Sequence, residues 1–133
     1  MEDIPKEYKK AAVFGVFDNF HPGHEFFLNE AAKRCEKLVV VVTLPEIVLQ
    51  LKNKEPKDSL DKRLENVKNL NNNFEVVPGD ENLGEWSVLK DKDVEVVFLG
   101  HDQNEIAKEL DKMNVKHIPV NAFYPEIYKS SIY

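Results

Sequence analysis

The sequence predicts an α/β protein, a doubly wound five-stranded parallel sheet in a single domain, on three observations. Short apolar runs rich in β-branched residues recur along the chain, and segments of helical periodicity separate them. Leu38 to Thr43 is apolar almost throughout, the pattern of a parallel strand covered on both faces. Polar clusters follow the strand ends, where ligands bind on such sheets. Strands alternating with helices imply right-handed crossovers, hence a Rossmann-like parallel arrangement.

Residues 11–17 read as the first strand, nearly all apolar and ending in a turn. Pro22 suits a first helical turn, where its missing N–H costs nothing. Phe27, Ala31 and Cys35 then recur at helical spacing and should pack on the sheet. After the strand at Leu38 to Thr43, Pro45 to Asp58 is polar and lysine-rich and reads as a loop with one short turn from Glu46. Ser59 is a helix N-cap, and Leu60, Leu64, Val67 and Leu70 mark one apolar helical face. Asn71-Asn72-Asn73 closes that helix, and Phe74 to Val77 gives a third strand. Glu85 to Lys90 is a short helix, Val94 to Leu99 a fourth strand, Asn104 to Met113 a helix with Ile106 and Leu110 inward, and Val115 to Val120 a fifth strand. The tail, Asn121 to Tyr133, is expected to end before any further helix could complete a turn or two.

Composition narrows the function. A length of 133 residues fits one domain with a genuine core. A net charge of −6 argues against a general nucleic-acid or anionic-membrane binder. No apolar run approaches the roughly 18–20 residues that span a membrane. The charged N-terminus lacks an apolar signal core, and one cysteine fits a reducing cytoplasm, so a cytoplasmic protein is expected. Positive charge is nonetheless concentrated locally: Lys52, Lys54, Lys57, Lys62 and Arg63 share one stretch, and Arg34 is the one other arginine.

The segment Gly15-Val-Phe-Asp-Asn-Phe-His-Pro-Gly-His24 turns from a buried strand into a helix. Gly23 allows close approach of a ligand, and the helix start offers free N–H groups and a positive dipole end to an anion. His21 and His24 are three apart, so both can point at that anion and donate hydrogen bonds as charge builds on it. A surface histidine pair or half of a metal site would be the plainer explanations; no third and fourth zinc ligand stand out, so no protein-bound metal is expected. Asp18 either contacts the ligand or fixes the turn by accepting backbone N–H groups. The clusters at 18–24, 100–103 and around Lys129 should converge at the point where strand order reverses. His101 and His117 look incidental, and Trp86 reads as packing.

This segment resembles the Gly-Thr-Phe-Asp-x-x-His-x-Gly-His signature of the cytidylyltransferase-like nucleotidyltransferase superfamily, with Val16 where the family usually carries Thr or Ser. The resemblance implies phosphate-binding lysines after the second strand, matched by Lys52 and Lys54, and an arginine early in the next helix, matched by Arg63. Leu99-Gly100-His-Asp102-Gln103 resembles a nucleotide-holding stretch of archaeal-type FAD synthases, and Lys129-Ser130-Ser131-Ile132 a phosphate-binding hydroxyl motif. The further helix of the family has no counterpart here.

The implied reaction joins a nucleoside triphosphate to a small phosphorylated acceptor and releases pyrophosphate. On that resemblance His21, His24, Lys52 and Arg63 are the catalytic set. Gly15, Val16, Phe17, Asp18, Gly23, Lys54, Gly100, Asp102, Gln103, Ser130 and Ser131 bind the nucleotide. Mg²⁺ carried mainly by phosphate oxygens is expected, and the family is often dimeric, which implies a homodimer. Asp102-Gln103 leans the acceptor towards FMN; glycerol 3-phosphate with CTP is the runner-up, and pantetheine phosphate the third. Phe123, Tyr124 and Tyr128 could flank a flat ring. A nucleotide-binding module without turnover is the alternative of another class, motivated by Val16 and the missing helix.

Overall fold

The computed structural model describes residues 7–81, 85–91, 93–100 and 103–120. Its elements are β1 (Tyr8–Gly15), α1 (Pro22–Ala32), β2 (Cys35–Val42), α2 (Pro45–Lys52), α3 (Leu60–Leu70), β3 (Glu75–Pro78), α4 (Ser87–Asp91), β4 (Val96–Leu99), α5 (Asn104–Lys112) and β5 (His117–Pro119). All four strand pairings are parallel and the order is β3-β2-β1-β4-β5, the doubly wound α/β sheet that the sequence pattern predicts. The chain winds outward from β1 through β2 to β3, then returns to lay β4 on the other side of β1. Strand order therefore reverses between β1 and β4, and the crevice at their carboxyl ends is where such sheets take ligands.

Side-chain alternation along the central strands divides the core in two. Ala11 and Val13 of β1, with Leu38, Val40 and Val42 of β2, meet Phe27, Leu28 and Ala31 of α1 and Val67 of α3. Ala12 of β1 with Val39 and Val41 of β2 point the other way, against Val88 of α4 and Leu110 of α5, and Phe14 packs at the edge of that cluster. Ser59 caps α3 by accepting the Lys62 N–H, as its position suggests. Among the described residues, no helix is long and apolar enough to cross a membrane.

Three local expectations are corrected. β1 ends at Gly15, so Val16 and Phe17 belong to the turn, and Phe17 takes a positive φ of 53°. Cys35 does not continue α1: it opens β2, buried, with its thiol directed to the Ala31 carbonyl. The segment after β2 is a helix before it is a loop. Ile47 and Val48 give α2 a short buried face, Pro45 starts it, and Asn53 stops it in the left-handed region at φ 57°. The lysines around it hide this two-turn pattern from a reading by polarity.

Candidate active site

The turn between β1 and α1 is held by its own histidines. His21 is the N-cap of α1, with extended backbone, and its Nδ1 accepts the Gly23 N–H at 3.0 Å. His24 answers through its own Nδ1, which accepts the His21 N–H at 3.3 Å. The exchange is a capping box built from imidazoles. It stacks the two rings 3.8 Å apart at 21°. It also sets the tautomers: a neutral ring that accepts at Nδ1 carries its proton at Nε2, so each ring donates from its far nitrogen.

The helix terminus differs here from the expected row of open amides. Pro22 has no N–H, Gly23 gives its own to His21, and the His24 and Glu25 amides both bond to the His21 carbonyl. The positive end of α1 is thus expressed through the imidazoles. Phe20 stacks on His24 at 5.4 Å, and Phe17 meets it edge-on at 5.6 Å. Burial, then the neighbouring His21, push the His24 pKa down to about 4, and Lys52 adds to this against the opposing pull of Asp18. At neutral pH His24 is therefore an uncharged hydrogen-bond donor.

Gly15 is demanded by this packing. A Cβ there would lie 2.8 Å from the Phe17 ring, inside any tolerable contact. Val16 uses its carbonyl, which accepts from Arg63 Nη1 at 3.1 Å, so the side chain that departs from the family pattern is not what anchors the turn.

Asp18 is committed to the backbone across the site. Its two carboxylate oxygens accept the Lys57 and Asp58 N–H groups, each at 2.8 Å. Burial would raise its pKa, but these amides, that of Asn19 and the charge of Arg63 prevail and hold it below the ordinary 3.8. Arg63 is wholly buried and donates to the carbonyls of Asp58, Val16 and Thr43. Burial lowers its pKa, against the raising pull of Asp18 and Asp58, and an arginine with three such acceptors stays charged. The structure turns it inward, with its guanidinium directed at backbone carbonyls. Lys52, the last residue of α2, is exposed and near enough to His24 to lower its pKa; Lys54 is exposed just past the Asn53 cap.

Across the switch point, Gln103 braces the two strand ends. Its Oε1 accepts the Gly100 N–H at 2.8 Å, and its Nε2 donates to the Phe14 carbonyl at 2.6 Å. This amide ties Gly100 and Gln103 to Phe14 near the end of β1, shortly before the histidine turn begins. Asp102, Ser130 and Ser131 lie outside the described residues, as do His101, Lys129 and the aromatic residues of the tail.

Sequence reasoning missed a cavity of about 990 Å³ on the α4 and α5 face, walled by Phe14, Thr43, Ile47, Leu51, Trp86 and Ile106 among others. Phe14 and Trp86 meet edge to face at 5.1 Å, and Trp86 is held at a positive φ of 52°. Thr43 joins cavity to turn: it lines the cavity, and its hydroxyl donates to the Gly15 carbonyl at 3.2 Å. Strand alternation could have placed Phe14 on this face, but nothing in the sequence signals that Trp86 would reach it.

A doubly wound sheet with two stacked imidazoles at its switch point, Lys52 near them and a roomy cavity on the α4 and α5 face defines a nucleotide-handling enzyme. The chain belongs to the cytidylyltransferase-like family, whose sequence model matches residues 12–131, and it is a nucleotidyltransferase. It is 34% identical over 131 residues to the FAD synthase of Thermococcus sibiricus, covering 96% of this chain and 87% of that one. It is 31% identical over 134 residues to the FAD synthase of Thermococcus kodakarensis, covering 98% and 88%. Among solved structures it resembles the lipopolysaccharide core biosynthesis protein of Thermoplasma volcanium, with a TM-score of 0.69 and 27% identity over 84% of this chain and 94% of that one.

Proposed function

We propose that this nucleotidyltransferase is an FMN adenylyltransferase, joining AMP from ATP to FMN and releasing pyrophosphate. The observation that supports the choice of acceptor is the cavity on the α4 and α5 face, which Phe14 and Trp86 help to line and whose volume admits a flat tricyclic ring. The FAD synthases of the two Thermococcus species support the same reading.

An oxygen of the FMN phosphate attacks the α-phosphorus of ATP. The new P–O bond forms as the bond to the β-phosphate bridging oxygen breaks, and pyrophosphate leaves with the electron pair. The nucleophile is already ionised, so catalysis consists of alignment and of neutralising charge. His21 and His24 donate from Nε2 to the α-phosphoryl oxygens as these gain charge. Because His24 is neutral at pH 7, it needs no proton transfer to do so. Lys52 and Lys54 hold the β- and γ-phosphates.

Mg²⁺ would enter bound to the triphosphate. Among the described residues no three His, Cys, Asp or Glu side chains cluster as a metal site, and both Asp18 oxygens are occupied by amides. The donors present fit an ion held by phosphate and water, whose positive charge would assist pyrophosphate departure.

The test is pyrophosphate release from ATP and CTP with FMN, glycerol 3-phosphate and phosphopantetheine as acceptors. Release should be fastest with ATP and FMN, with FAD as product. Turnover of CTP with glycerol 3-phosphate and none with FMN would replace this acceptor.

A further inference from the structure

We propose that Asp18, Asp58 and Arg63 are positioning residues that fix the lysine-bearing segment 44–57 against the histidine turn. Arg63 touches both ends of that excursion. Nη1 donates to Thr43 O at 2.7 Å just before α2, and Nε donates to Asp58 O at 3.1 Å just after it. The same Nη1 reaches Val16 O in the histidine turn at 3.1 Å.

A second layer of bonds closes above it. Asp18 takes the Lys57 and Asp58 amides, and Asp58 returns the exchange by accepting the Asn19 N–H at 3.1 Å. Two loops some forty positions apart in sequence are thereby locked through side chain to backbone.

Apolar packing of α2 rests on two side chains. Ile47 and Val48 are the buried residues of α2, while Leu49 and Leu51 are 44% and 56% exposed. The polar clasp therefore determines where Lys52 and Lys54 stand. It does so at a cost: Arg63 is fully buried, and its Nη2 has no hydrogen-bond partner among the described residues. Apolar residues of similar volume would fill that space more stably, but they could not tie three backbone segments to one point.

The proposal rests on the reading that Lys52 and Lys54 hold the triphosphate. Its test reads triphosphate binding without any acceptor, so a wrong acceptor would not disturb it. Arg63→Ala risks unfolding, so Asp18→Asn, at a half-exposed site, is the main probe. Titration calorimetry with Mg·ATP, and in parallel Mg·CTP, should show affinity reduced about tenfold, since small misplacements of binding groups are costly.

Lys52→Ala supplies the readout that a merely structural role would not move. In the wild-type protein it should weaken triphosphate binding about tenfold, but in the Asp18→Asn protein by less than about twofold, because residues acting through one another are not additive. Asp58→Ala, which loses the Asn19 bond and a negative charge near Arg63 but keeps the Asp18 bonds, should fall between wild type and Asp18→Asn. Unchanged triphosphate affinity in Asp18→Asn would overturn the proposal. So would full additivity with Lys52→Ala, or a fall in triphosphate affinity that only tracks a lowered melting temperature.

Discussion

The two sides of the switch point are built by opposite means. On the side of α1 and α3, the turn from Gly15 to His24 is tied down polar group by polar group: imidazole to amide, carboxylate to amide, guanidinium to carbonyl. On the side of α4 and α5, the cavity has an apolar wall that includes Phe14, Val41, Ile47, Leu51 and Trp86, with charged side chains such as Asp80, Glu105 and Lys108 also lining it. On the proposed reaction, the difference matches what each side would recognise. Phosphate oxygens change charge during the reaction and are stabilised only by donors already in place. A flat organic ring offers mainly area, which an apolar wall matches without such exact placement.

The sharpest way to break this comparison is His24→Ala. If the polar side carries the chemistry, kcat should fall by about 10²–10³, the usual consequence of losing one preorganised donor to a developing oxyanion. The melting temperature should drop only slightly, because losing a side-chain cap costs about 1 kcal/mol. Initial rates of pyrophosphate release alongside thermal melts measure both. Wild-type kcat in this variant would remove the histidines from the mechanism.

A gentler intervention tests the other side. Trp86→Ala should raise the KM for FMN about tenfold, the upper range of what an aromatic pair contributes, and leave triphosphate affinity unchanged. Trp86 is the one tryptophan of the chain, so stacking on it would quench flavin fluorescence on binding, and the variant would lose that quenching. An unchanged KM for FMN would mean that the cavity does not hold the ring.

How far the sequence foretells this arrangement depends on the range of each interaction. The sheet is legible because strand and helix periods are local, and the Ser59 cap is legible because capping spans three residues. The histidine pair is legible as a pair, yet its tautomers and its occupation of the helix amides depend on a turn with Phe17 at positive φ. Arg63 shows the limit most clearly. Its position early in α3 suggests a phosphate ligand, whereas its bonds go to carbonyls at residues 16, 43 and 58, which only the folded chain assembles. Trp86 reads as packing, and it does pack on Phe14, but the cavity that the pair walls requires α2, whose two turns are hidden among lysines.

The smallest effect separates the two sides by pH. His24 is held at a pKa of about 4, whereas the same group in the unfolded chain titrates near 6.5. Between those values the unfolded state binds more protons, so stability rises with pH through this window, is fully present above 6.5, and is lost as pH falls towards 4. Because the imidazole is half-exposed, solvent screening reduces the contribution to on the order of 1–2 kcal/mol. Asp18, held below 3.8, adds a second loss of the same sign at still lower pH. Urea midpoints measured from pH 3 to 8 should therefore slope upward in the wild type. His24→Gln keeps an acceptor for the His21 N–H but does not titrate, so it should flatten that slope while leaving the step below 3.8. An identical slope in both proteins would mean that the proton uptake lies elsewhere, and that the capping box does not hold His24 neutral.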